Sequence, residues 1–184
     1  RPANIPLQSG SLGYVASTNV THTTNWPKVS ASNDDAYVIQ GADDTTPYLT
    51  STQVILKMAV DASLRQNGGF RIPGIYIPQG ATINSATLNV YVGDTYDDPH
   101  LDVYGHLTAN APDFSTNTQI YARQRTTATV AWVADNVGFG WKTVNVTTIL
   151  QELVNQASWE NGNAAAFLFI ARSFSGYRCY FHAW

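Results

Sequence analysis

The sequence predicts an all-β protein: an antiparallel β-sandwich of jelly-roll type with one short helix near residues 147–157. Three observations predict it. Short apolar or alternating runs recur every 8–15 residues, about nine in all, with turn residues between them. One stretch only, Thr147 to Ala157, changes to a helical period. The polar residues are mostly neutral, with 20 Thr, 14 Asn, 12 Ser and 9 Gln against 23 charged residues. Thr suits a pleated surface, and Asn and Ser suit turns.

In chain order, residues 1–30 read as an extended N-terminal arm. Pro2, Pro6 and Pro27 punctuate it, and Ser17 to Asn25 is almost entirely polar. Such a stretch cannot fold alone. Its Ile5, Leu7, Leu12, Tyr14 and Val15 leave open whether it stays free or orders against a neighbour. The sandwich itself is expected over residues 31–184. Ala36–Gln40 and Gln53–Val60 are apolar runs. Phe70–Ile77 is broken by Pro73-Gly74, which suggests a bulge or an edge strand.

The clearest strands follow. Leu88, Val90 and Val92 share one face, and so do Leu101, Val103 and Leu107. Period two means that one face is buried. Ala128–Val133 and Lys142–Val146 are further strands. Ile149, Leu150, Leu153, Val154 and Ala157 then form one helical stripe, which Thr147 or Thr148 can cap. Ala165–Ala171 is apolar on both faces and predicts a central strand; Tyr177–Trp184 alternates again.

Composition narrows the function. The net charge is −3, and the Lys and Arg residues are scattered, so no nucleic-acid footprint is present. No apolar run approaches the roughly 18 residues of a membrane span. Cys179 is the single cysteine, so neither an internal disulfide nor a Cys-rich metal site can form. The chain begins at Arg1 without a signal-like segment, which suggests a processed product or part of something longer.

Catalysis has little support. A glycosidase needs two carboxylates across a cleft, whereas Glu152 and Glu160 lie on or beside the helix. His22, His100, His106 and His182 have no metal-ligand spacing, and Ser173–Gly176 lacks a nucleophile-elbow pattern. Asp94, Asp97 and Asp98 offer hard oxygens in one loop and are the candidate calcium ligands; the alternative is that Asp simply starts turns. With Leu88, Val90 and Val92 inward, Tyr91 points outward, as do Asp102, Tyr104 and His106 on the next strand. If those strands pair, the four side chains form one row. Arg178, Tyr180, His182 and Trp184 share a face of the last strand. These rows fit either a subunit interface, where Tyr, Trp and Arg are enriched, or a sugar platform. Arg123-Gln124-Arg125 is a basic spot expected to pair with Asp and to hold backbone carbonyls, the alternative being an anion site.

From residue 32 onward the chain resembles a known family. The motifs are Ser32-Asn33-Asp34-Asp35-Ala36-Tyr37, Gly69-Phe70-Arg71-Ile72, Ile77-Pro78-Gln79-Gly80-Ala81-Thr82-Ile83, Tyr96-Asp97-Asp98-Pro99, Arg123-Gln124-Arg125, Val130-Ala131-Trp132 and Trp159-Glu160-Asn161-Gly162-Asn163. Together they resemble the extracellular jelly-roll β-sandwich modules, similar to carbohydrate-binding modules, of bacteriophage virion proteins and secreted bacterial proteins. The resemblance implies a virion or extracellular setting and no reaction. Expected partners are other virion proteins or copies of the chain, with a cell-surface glycan as the alternative. Such modules usually add one more closing strand after the position of Tyr177–Trp184, so either the chain is cut short there or the last sheet position is open.

Overall fold

The structure, a computed structural model, describes residues 10–18, 21–25, 28–40, 43–49, 53–59, 61–95, 100–115, 120–133, 138–173 and 178–182. The strands are β1 (Ser11–Thr18), β2 (Thr21–Asn25), β3 (Asp35–Ile39), β4 (Asp43–Tyr48), β5 (Gln53–Lys57), β6 (Gln66–Ile72), β7 (Thr82–Thr95) and β8 (His100–His106). They continue with β9 (Arg125–Val133), β10 (Gly140–Asn145), helix α1 (Thr147–Val154), β11 (Ala165–Ala171) and β12 (Arg178–His182). All strand pairs are antiparallel.

The ladder folds over on itself where β5 and β6 share a single pair, Lys57 with Gln66. This gives two layers. The first runs β4-β3-β6-β11-β8-β9, and the second β5-β12-β7-β10, with β1 and β2 added to β7. The inward residues interleave as one core. Phe70 of β6, Phe169 of β11 and Trp132 of β9 meet Phe181 of β12 at centroid distances of 6.0, 5.4 and 5.5 Å. Rings from both layers in van der Waals contact make this a jelly-roll-like sandwich.

β11 is buried along its whole length, as its unbroken apolar run predicts. Ala165, Phe167 and Phe169 face the main core. Ala166, Leu168 and Ile170 face a second cluster with Ala36, Val38, Ala111, Phe114 and Ile120. That second cluster forms because residues 107–115 and 120–124 lie over the outer side of the first layer.

α1 contacts β7, β8 and β9 through Ile149, Leu150, Leu153 and Val154. Its cap is not the one expected from Thr147 or Thr148. The Asn145 carboxamide oxygen accepts from the Thr147 amide at 3.1 Å, while the Thr147 hydroxyl accepts from the Ala86 amide at 2.9 Å. Glu152 ties the helix to β9 by accepting from the Thr127 and Ala128 amides at 2.8 and 2.7 Å.

Two expectations need correction. The irregular arm at residues 1–30 contains β1 and β2, and β1 pairs with β7 from Ser11 to Ser17. Leu12 and Tyr14 are buried there, so their apolar character is used in the sandwich rather than outside it. Nor is the last strand beside an open position: β12 pairs with β5 on one edge and β7 on the other.

Candidate functional site: an aromatic face on the second layer

β7 and β8 do not pair. β7 belongs to the second layer, while β8 lies between β11 and β9 in the first. The single row expected from Tyr91, Asp102, Tyr104 and His106 is therefore divided between opposite outer faces of the molecule. Each strand does alternate as the sequence predicts: Leu88, Val90, Val92, Leu101 and Val103 are all in the core.

On the first layer the three residues are engaged in holding structure. Asp102 accepts from the Arg172 guanidinium at 2.5 Å. That bond raises the Arg172 pKa. Tyr104 packs against the second cluster, and the Arg125 guanidinium lies over both the Tyr104 and Tyr121 rings. His106 is buried beside Arg123. Its pKa is pushed down to about 4, first by burial and then by the adjacent cation.

The second layer carries the exposed aromatic face. Tyr91 on β7 is the register partner of Trp141 on β10, and their rings meet edge-to-face at 5.5 Å. On its other side Tyr91 meets the His182 ring of β12 at 5.0 Å. Gly93 makes that contact possible. It is the extra residue of a bulge, since Phe181 pairs with Val92 and Tyr180 with Asp94. A Cβ on Gly93 would sit 2.3 Å from two His182 ring atoms, so only glycine leaves room for the imidazole. Phe139, 69% exposed, precedes the positive-φ Gly140 at the start of β10, and Trp141 is 39% exposed. Asn89 and Thr143, another register pair, stand on the same face.

Tyr91 and His182 are thus brought together, with Tyr180 two residues from His182 on the same strand face. Sequence reasoning misses Phe139 and Trp141. Their signal is the alternation Gly138-Phe139-Gly140-Trp141, which places two aromatics in phase just before the strand expected at Lys142. The side chains of Arg178 and Asp94, and Trp184, Asp97 and Asp98 entirely, lie outside the described residues, and so does the calcium expectation. Among the described residues no cluster of three or more His, Cys, Asp or Glu could hold a metal ion. No described helix is long and apolar enough to cross a membrane. Neither a protein-family model nor a curated protein matches this chain.

Proposed function

We propose that this chain is a non-enzymatic structural or accessory protein of a bacteriophage virion, a head decoration or a tail or fibre module, acting outside cells. It docks on other virion proteins or on copies of itself through the aromatic face of its second layer. The observation that carries this reading is the open position of Trp141 against Tyr91, whose ring also meets His182, on one sheet face, with the exposed Phe139 just before β10. A surface that stays in water more often carries Lys and Glu at such positions. Partly exposed aromatic side chains such as these are what a partner surface would cover. The likeness of the motifs to virion jelly rolls supports the setting. The role of Glu152 as a strap on β9, and of Asp34 and Asp102 as partners of Arg71 and Arg172, supports a non-catalytic module.

A second reading is a carbohydrate-binding module of a secreted enzyme or a host-recognition fibre. It is favoured by Trp141 standing next to Thr143 and Asn89, which join an aromatic face to neutral hydrogen-bonding groups. Sedimentation velocity and a glycan array, run on the chain and on Trp141→Ala, decide between them. The docking reading expects association that weakens in the variant and no specific glycan retention. A stable monomer that retains one glycan class, and loses it in Trp141→Ala, would overturn it.

A further inference from the structure

We propose that His106 and Arg123 form an acid-sensitive clasp that holds residues 107–115 over the outer face of the first layer. The covering segment is fastened at several points. The Ala111 amide donates to the Ala164 carbonyl at 2.9 Å, and the Phe114 amide to the Asn33 carbonyl at 2.9 Å. Beneath it lie Ala36, Val38, Ala166, Leu168 and Ile170.

Arg123 gathers this segment from the other side. It is 4% exposed, and its Nη2 donates to the Asp113 carbonyl at 3.0 Å and its Nη1 to the Pro112 carbonyl at 3.4 Å. Its guanidinium carbon lies 4.3 Å from the centre of the Phe114 ring, the apolar plug of the second cluster. The same Nη1 stands 3.5 Å from Nδ1 of His106. A guanidinium has only donors, so this contact is a hydrogen bond when Nδ1 is the acceptor, in the neutral ring that carries its proton on Nε2. Protonation at Nδ1 would turn a donor toward a donor and set two buried cations side by side.

The other charged and titratable groups around the ring do not offset a new positive charge. On β8, Asp102 is paired with Arg172, and the Tyr104 ring lies under the Arg125 guanidinium. On β9, Arg125 is the register partner of His106 and adds a further cation. On β6, Arg71 is paired with Asp34 at 2.6 Å. In the cover, the Asp113 carboxylate accepts from Asn33 at 2.6 Å and from the Ser115 amide and hydroxyl at 2.9 and 2.6 Å, and its negative charge acts on Arg123 rather than on the His106 ring. Burial and Arg123 are what depress the His106 pKa to about 4.

Linkage gives the direction. A histidine that is neutral when covered and free to titrate when uncovered stabilises the cover above its ordinary pKa. That contribution is lost as pH falls toward the depressed value. With values of 6.5 uncovered and about 4 covered, the opening constant rises about 30-fold from about pH 7.5 to about pH 5. This window lies above the ordinary carboxylate range, so acid titration of Asp and Glu contributes little to it.

Hydrogen exchange, corrected for intrinsic rates, tests this on the full chain through the Ala111 and Phe114 amides. The expected result is a loss of protection of about 30-fold across that window, with the Leu150 amide of α1 changing less than about threefold and His106→Gln abolishing the effect. A change under about threefold in the wild type, or an equal change in His106→Gln, overturns the proposal. Should the variant not fold, ring-proton titration of the wild-type histidines decides the matter. One midpoint near pH 4 supports the clasp, and all midpoints at or above about 6 overturn it.

Discussion

Phe114 and Gly69 sit against each other, and their coupling can be worked out from the contact. Gly69 of β6 faces the second cluster. A Cβ placed on it would lie 2.5 Å from Cζ and 3.0 Å from Cε1 of Phe114. Ordinary contact starts near 3.4 Å, so the ring would have to retreat by about 0.9 Å into a fully buried site. Gly69→Ala should therefore cost about 1–3 kcal/mol as overpacking. Phe114→Ala should cost about 3–5 kcal/mol, since it empties the site and takes away the ring beneath the Arg123 guanidinium. In the double variant the new methyl occupies space the ring has left. The overpacking penalty disappears, and the double variant should be about 1–3 kcal/mol more stable than the sum of the singles. Urea denaturation measures all four proteins, with the slope checked for constancy. Additivity within about 0.5 kcal/mol would mean that the two residues do not share a site, and the account of the second cluster would be wrong.

Two further outcomes follow from the same structure. Glu152→Ala removes two charge-assisted bonds to β9 amides and should lower stability by about 2–3 kcal/mol, read as a melting temperature about 5–10 °C lower. Glu152→Gln, which keeps one acceptor, should lose about half as much, and an unchanged Glu152→Ala would show that the helix is not tied there. Burial pushes the Cys179 thiol up to about 12, so a thiol reagent should label native protein at least ~1,000-fold more slowly than denatured protein. Rapid labelling of the native chain would place Cys179 outside the core.

Where covered faces leave a mark on the residue pattern, the sequence can be read. β11 shows no alternation because both its faces are covered, and α1 shows its stripe because one face is. The inward and outward residues of β7 and β8 follow from period two alone. Period two does not name a strand's neighbour, however, and so the pattern joins the Tyr91 row to the wrong strand. β6 begins with Gln66-Asn67-Gly68-Gly69, which carries no apolar signal. Its glycines are required because Val54 and Leu56 press on one face and Phe114 on the other. Asn67 is buried because its side-chain oxygen accepts from the Ala171 amide at 2.8 Å. His106 is buried beside Arg123, 17 positions along the chain, a contact that no local pattern encodes.

β7 has a consequence for how the protein comes together. Leu88 pairs with both Leu12 and Val144, and Val92 with both Phe181 and Gly140. β1 and β12 therefore lie one after the other along the same edge of β7, and β10 takes the opposite edge. The strands sharing that edge are separated by 160 positions, from Thr18 to Arg178. A ribosome releases the β1 part of this seam long before the β12 part. Until β12 arrives, the β7 edge from Val92 to Thr95 and one edge of β5 stay unsatisfied. Closure is a late event with a large loop entropy, and the chain belongs among slow-folding β topologies. During that interval the open edge of β7 is a template for a strand from another copy, and a slow fold in a crowded assembly would be most exposed to mispairing there.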